Sequence, residues 1–387
     1  MSIVAQAILL LAGAAVVFVL GALSGHRKTF PFNHLLLLKH QGLARLRQQV
    51  PAATATPSLR IGFDTTEGIA DRREQLERFI WGGGDHRQAV AAWPASTDLQ
   101  VQRQWLRALG SGVRAEHWRI EMDHGIDSVV LSLTPADSRQ DLCVVYQQGH
   151  EGHVWHGRHV ILGLLQQGYR VVALAMPLLG PNSQPTVELR RHGQVRLQEH
   201  DAFALLDADT GRSSIRFFVD PVLACLNRLQ AEGYQRMAML GSSGGGWTTT
   251  LCAALDTRIT LSFPTAGSLP FDLRQQGELS DYENYLPVLY NIANYPELYI
   301  MAASGHGRKS IQILNEFDTV IWPGRRGMAY AAPIQDKVRA IGEGHFAVVV
   351  DNSWVGHGIS PWALKMILQE LRQDPSDSHR PDASNEH

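Results

Sequence analysis

The sequence predicts an α/β fold: a mostly parallel central sheet with an antiparallel start and helices on both faces. Three stretches predict it. Residues 116–135, "EHWRIEMDHGIDSVVLSLTP", hold two alternating runs around an Asp-His-Gly turn, the pattern of a hairpin. "LCVVYQQG" (142–149) and "RVVALAMP" (170–177) are continuous apolar runs of the doubly buried kind, with the helix-length "VWHGRHVILGLLQQGY" between them. "MAMLGSSGGGWTTT" (237–250) passes from four apolar residues through a serine-glycine turn into a helical segment. A hairpin followed by alternating strands and helices gives a sheet of this kind.

Taken from the amino end, Ile3 to Leu23 is an apolar run long enough to span a bilayer, broken among strongly polar side chains only by Gln6. No Lys or Arg precedes it, whereas Arg27, Lys28, Lys39, Arg45 and Arg47 follow with no acid among them. That asymmetry predicts an anchor (residues 1–25) with the body of the protein in the cytoplasm. The alternative is export after signal-peptide cleavage near Ala22-Leu23-Ser24. "FNHLLLLKHQGLARLRQQV" is apolar and basic, suited to an anionic leaflet or to packing on the protein body. "PAATATPS" reads as a linker, "DRREQLERFIW" as a helix stopped by glycines, and 99–110 as another short helix. Together, 26–114 are expected to be a basic juxtamembrane and helical pre-domain.

The main domain is expected over 115–372. Beyond the first strands, 181–215 is polar, and "DPVLACLNRLQAEGY" is a helix leading into the strand "RMAML". After the serine turn come a helix through "TTTLCAAL", the strand "ITLSFP", and an insertion near 268–308 rich in Tyr, Leu and Met. That insertion reads either as a lid over an apolar pocket or as ordinary helical packing. "SIQILNEF", a helix near 329–341, "HFAVVV", and a last helix with Ser360 as N-cap and Pro361 at its first position complete the domain. Residues 373–387 read as a disordered tail.

A net charge of −2 over 387 residues gives no sign of a nucleic-acid partner. The three cysteines, Cys143, Cys225 and Cys252, lie apart in apolar segments, so a disulfide framework is not expected.

The serine turn discriminates among glycine-rich loops. A phosphate loop needs Lys before Ser or Thr, and Trp247 stands there; a dinucleotide loop needs a glycine at 243. Gly241-Ser242-Ser243-Gly244-Gly245 instead fits G-x-S-x-G with Ser243 central. Ser242 fails the pattern because Leu240 occupies the first glycine position. A serine in such a turn sits on strained backbone, and neighbours lacking a β-carbon let strand and helix pass close by.

On "GSSGG", on "YQQGHEGH" after the third strand, and on the order of the segments beyond the serine turn, residues 115–372 resemble the α/β-hydrolases of the dienelactone-hydrolase and acetyl-xylan-esterase branches. The resemblance implies nucleophile, acid and base in that chain order. Asp318, in "LNEFDTVIWPG", is the expected acid, with Glu316 the competitor closer to the strand. His357, in the glycine-flanked loop "NSWVGHGIS", is the expected base, since His345 begins the last strand at its wrong end. The resemblance assigns the oxyanion-hole amides to Gly244 and His150, with Gln148 where the family carries histidine. His150, His153, His156 and His159 recur every three residues, but with no carboxylate or cysteine cluster they do not read as a metal site. The expectation is therefore a membrane-anchored serine hydrolase, most simply a carboxylesterase acting on small-molecule or lipid esters through Ser243, Asp318 and His357, without cofactor. The alternative is a catalytically silent scaffold of the same fold that binds a partner at the membrane.

Overall fold

A computed structural model describes residues 59–83, 95–96, 112–139, 141–275, 278 and 280–373. The apolar run 3–23, the basic segment 32–50, the linker after it, the helix expected over 99–110 and residues 374–387 of the tail lie outside these residues. Among the described residues no helix is long and apolar enough to cross a membrane.

The strands are β1 (Ala95–Ser96), β2 (Val113–Glu121), β3 (Asp127–Pro135), β4 (Leu142–Gln147), β5 (Arg170–Leu174), β6 (Thr186–Leu189), β7 (Gly193–Arg196), β8 (Arg236–Ser242), β9 (Ile259–Thr265), β10 (Lys309–Phe317) and β11 (His345–Val355). Nine form one sheet in the order β1-β2-β3-β5-β4-β8-β9-β10-β11. β2 and β3 pair antiparallel from Val113↔Pro135 to Glu121↔Asp127, and β3 runs antiparallel to β5. From β5 to β11 every neighbour is parallel. The Asp-His-Gly turn of the hairpin puts His124 and Gly125 at positive φ.

Strand periodicity sorts the core into two layers. Cys143, Val145, Met237 and Met239 face one side; Val144, Tyr146, Ala238 and Leu240 face the other. The helices are α1 (Thr66–Trp81), α2 (Arg158–Gln166), α3 (Ala202–Thr210), α4 (Arg216–Ala231), α5 (Gly244–Leu255), α6 (Tyr282–Tyr285), α7 (Pro287–Ile292), α8 (Tyr295–Ala303), α9 (Met328–Ile341) and α10 (Pro361–Arg372). α2 and α10 cover the second side, while α1, α4, α5, α8 and α9 cover the first.

α1 falls within the stretch expected as a pre-domain, yet its apolar residues join the main core. Thr65 caps it by accepting from the Gly68 N–H, and Gly82 ends it at φ 84°. Ile69, Leu76 and Ile80 are buried with Phe63, Arg72 pairs with Glu297 at 3.1 Å, and Trp81 donates to Asp220 at 2.7 Å. Leu76→Ala is therefore expected to cost about 2–5 kcal/mol. Chemical denaturation checks this, and a loss below about 0.5 kcal/mol would mark α1 as a peripheral addition.

Two features that the sequence-based expectation does not specify bear on the site. The polar segment 181–215 carries the β6–β7 hairpin and α3. β11 also runs on to Val355, so "NSWV" is largely strand and His357 stands two residues beyond its end.

Candidate active site

β8 ends at Ser242 and α5 begins at Gly244, so Ser243 is the corner itself. Its φ of 57° and ψ of −130° are values that a residue with a β-carbon adopts only at a cost of about 1–3 kcal/mol. Two bonds hold it there: the Ser243 N–H donates to the Thr265 carbonyl at 2.9 Å, and the Trp247 N–H donates to the Ser243 carbonyl at 3.1 Å. A β-carbon on Gly241 would fall on the Gly245 carbonyl, and one on Gly245 would fall on the Gln147 carbonyl. These glycines are thus required by close backbone approach, and Gly245→Ala is expected to destabilise the fold by about 1–3 kcal/mol. A melting temperature equal to that of the parent would refute the close approach. Ser243 is partly exposed, whereas Ser242 is buried at the strand end in register with Thr265.

Asp318 and His357 meet at the same edge of the sheet. His357 Nδ1 lies 2.8 Å from Asp318 Oδ2 and 3.0 Å from Oδ1. The carboxylate is oriented by the Val320 and Ile321 amides, which donate to Oδ1 at 2.8 and 3.0 Å, and its side chain is 1 % exposed. The His357 loop is tied to β10: Gly356 N–H donates to the Phe317 carbonyl at 3.3 Å, and Asn315 Nδ2 donates to the Gly358 carbonyl at 3.0 Å. Gly358, at φ 117°, lies against Ser242. His357 Nε2 is buried and, among the described residues, makes no hydrogen bond, to Ser243 Oγ or to any other group. Glu316 sits at an irregularity in the β10–β11 register and pairs with Arg325 at 3.0 Å, so Asp318 is the acid that faces His357.

The loop after β4 closes on the elbow from the other side. Gly149 lies where a β-carbon would meet Ser243 Cβ and the Ser242 carbonyl, and the His150 imidazole lies where a β-carbon on Gly244 would go. Neither the His150 nor the Gly244 N–H has a hydrogen-bond partner among the described residues. Gln148 Oε1 accepts from Tyr146 Oη at 2.6 Å, and the Gln148 N–H donates to the Leu174 carbonyl at 2.9 Å. The loop is thereby hydrogen-bonded to β4 and β5.

His153, His156 and His159 are exposed and do not gather with His150; His159 bonds the Ile359 carbonyl at 2.8 Å. His150 meets His200 and Glu283 instead, two residues that carry no signal in the sequence. Burial pushes the Glu283 carboxyl up, but His200 and His150 beside it outweigh that and hold it at about 2. For His150, burial lowers the pKa, and the hydrogen bond and charge of Glu283 more than reverse this, leaving it raised. The Tyr-rich insertion packs as core: Tyr290, Tyr295 and Tyr299 are buried and hydrogen-bonded, and Tyr299 stacks on Tyr330 and Phe346.

No protein-family profile matches the chain, and no curated protein matches it. Solved structures do. Acetyl xylan esterase 1 from Thermoanaerobacterium sp. JW/SL YS485 is 15 % identical, with 80 % of this chain and 95 % of that one covered at a TM-score of 0.51. An esterase from an Arctic intertidal metagenomic library is 16 % identical over 73 % and 98 % of the two chains, at 0.43. An esterase of Pyrococcus furiosus is 12 % identical over 70 % and 91 %, also at 0.43. At 15 % identity the likeness to acetyl xylan esterase 1 speaks to fold alone. The chain has the α/β-hydrolase fold, the fold of acetyl xylan esterase 1.

Proposed function

We propose that the chain is a membrane-anchored serine esterase. The observation that carries this is the Asp318–His357 pair beside a serine on a strained elbow. A serine hydroxyl attacks a carbonyl only when a base takes its proton, and the base must be held in one tautomer. With its Nδ1–H donated to Asp318, His357 presents the lone pair of Nε2, which accepts the Ser243 proton as Oγ bonds to the ester carbon. The Gly244 and His150 N–H groups then take the oxyanion. Collapse expels the alcohol, which receives the proton from His357 and leaves an acyl-Ser243 ester. Water activated by His357 releases the acid and restores the serine. No cofactor enters these steps.

The anchor is the apolar run 3–23, and the basic residues after it put the catalytic domain on the cytoplasmic side. A small-molecule or lipid ester is the substrate class that suits such a placement. A carboxyl-terminal reporter active only in the cytoplasm is expected to be bright. Recovery of an exported chain beginning near Gly25 would refute the orientation.

The test of function is hydrolysis of nitrophenyl esters of graded acyl length by the full chain in detergent. Turnover that an organophosphate abolishes irreversibly is expected. Absence of turnover across the series in a folded sample would leave the silent-scaffold reading.

A further inference from the structure

We propose that His150, His200 and Glu283, with Asp281 beside them, form a binding site for one divalent transition metal of the zinc class. One ligating atom from each of His150, His200 and Glu283 lies within 4.8 Å of the other two. His150 Nε2 lies 3.2 Å from His200 Nδ1 and 3.2 Å from Glu283 Oε1; His200 Nδ1 lies 3.1 Å from Glu283 Oε2. Asp281 Oδ2 is 3.3 Å from His150 Nε2. Metal–nitrogen and metal–oxygen bonds of about 2.0–2.1 Å at tetrahedral angles give ligand–ligand separations of about 3.3–3.4 Å. The observed edges fall close to that range. Two imidazoles with one or two carboxylates are also the donor set that zinc takes.

Hydrogen bonding alone satisfies this cluster poorly. His200 Nε2 is 3.0 Å from the Pro177 carbonyl, which only accepts, so that nitrogen carries the proton. In a neutral ring, Nδ1 then offers a lone pair toward a carboxylate oxygen and a second imidazole nitrogen. An ion between them removes the conflict, and a ligand histidine whose other N–H is held by a backbone carbonyl is the usual outer arrangement. The Glu283 side chain is 0 % exposed, and its Oε1 faces His150 Nε2 at 3.2 Å. With both imidazoles neutral, the two carboxylates would carry a charge of −2, which one divalent ion offsets.

The three principal ligands come from segments far apart in the chain. His150 belongs to the loop after β4, His200 precedes α3, and Glu283 is in α6 of the insertion. One ion would therefore clamp the insertion and the segment before α3 to the loop that carries the His150 amide beside the elbow. The metal site stands independently of the esterase reading. Its positioning role, holding that amide in place as an oxyanion donor, rests on it.

The test uses the full chain in detergent, stripped with a chelator, incubated with Zn²⁺, desalted, and analysed for metal by mass spectrometry. About one zinc per chain is expected, with a higher melting temperature than the stripped form, and Co²⁺ in its place should give the visible absorption of a tetrahedral ion. Glu283→Gln and His200→Ala should lose the bound metal, while His153→Ala and His156→Ala keep it. If the two buried-site variants fail to fold, His150→Gln, on the partly exposed loop, serves in their place. Zinc below about 0.2 per folded chain, or equal zinc in parent and Glu283→Gln or His150→Gln, would overturn the site and leave an ion-paired cluster of protonated histidines. Esterase activity without zinc uptake removes the site but keeps the esterase; zinc uptake without activity does the reverse. For the positioning role, stripping should lower kcat with KM little changed, and a loss confined to KM would contradict it.

Discussion

Ser243→Ala is expected to lower kcat for ester hydrolysis by about 10⁶-fold, the scale at which removing a triad nucleophile leaves only the oxyanion hole and binding. The size follows from the proposed mechanism, in which without Oγ no acyl-enzyme forms and His357 has no proton to accept. Stability should hold or rise slightly, since alanine keeps the backbone bonds to Thr265 and Trp247 that fix the corner. Ser242→Ala separates the two serines: Ser242 is buried at the end of β8 and should retain turnover near the parent rate. Steady-state kinetics with circular dichroism as the folding control check both. A large loss in Ser242→Ala with activity retained in Ser243→Ala would reverse the assignment.

Asp318→Asn is expected to cost about 10⁴-fold in kcat with the fold intact. The asparagine Oδ1 can still accept from the Val320 and Ile321 amides, so the turn after β10 survives. Its Nδ2 then faces His357 Nδ1 as a donor. The ring must place its proton on Nε2, where it can no longer accept from serine. Glu316→Gln changes only a partner of Arg325 and should leave kcat within a few-fold of the parent. If Glu316→Gln produced the large loss and Asp318→Asn did not, the acid would have been misidentified.

The parts of this structure written in short-range pattern are legible in the sequence. The hairpin follows from alternation around Asp123-His124-Gly125, the parallel strands from unbroken apolar runs, and the elbow from glycines whose spacing is set by backbone contact. The choice between Asp318 and Glu316 is finer, since two residues separate them. What distinguishes them in space is the register irregularity that turns Glu316 toward Arg325. The docking of α1 is not legible, because the helix packs against α5 and α7, more than a hundred residues away, and periodicity tells only which face is apolar. The gathering of His150, His200 and Glu283 lies further out of reach. Sequence spacing points to the run His150, His153, His156 and His159, but a helical repeat of 3.6 does not bring four residues at intervals of three onto one point. The residues that do converge arrive from separate loops and leave no local signal. The Tyr-rich insertion reads as lid or as packing, and burial of its hydroxyls in mutual hydrogen bonds marks it as packing.

Whether Ser243 is the activated nucleophile is decided by treating the full chain with a fluorophosphonate and mapping the modified peptide. A single adduct on Ser243 is expected, formed by the parent and by Ser242→Ala, lost in Ser243→Ala, and formed far more slowly in Asp318→Asn. An adduct on Ser242, or no adduct on a folded chain, would overturn the assignment of Ser243.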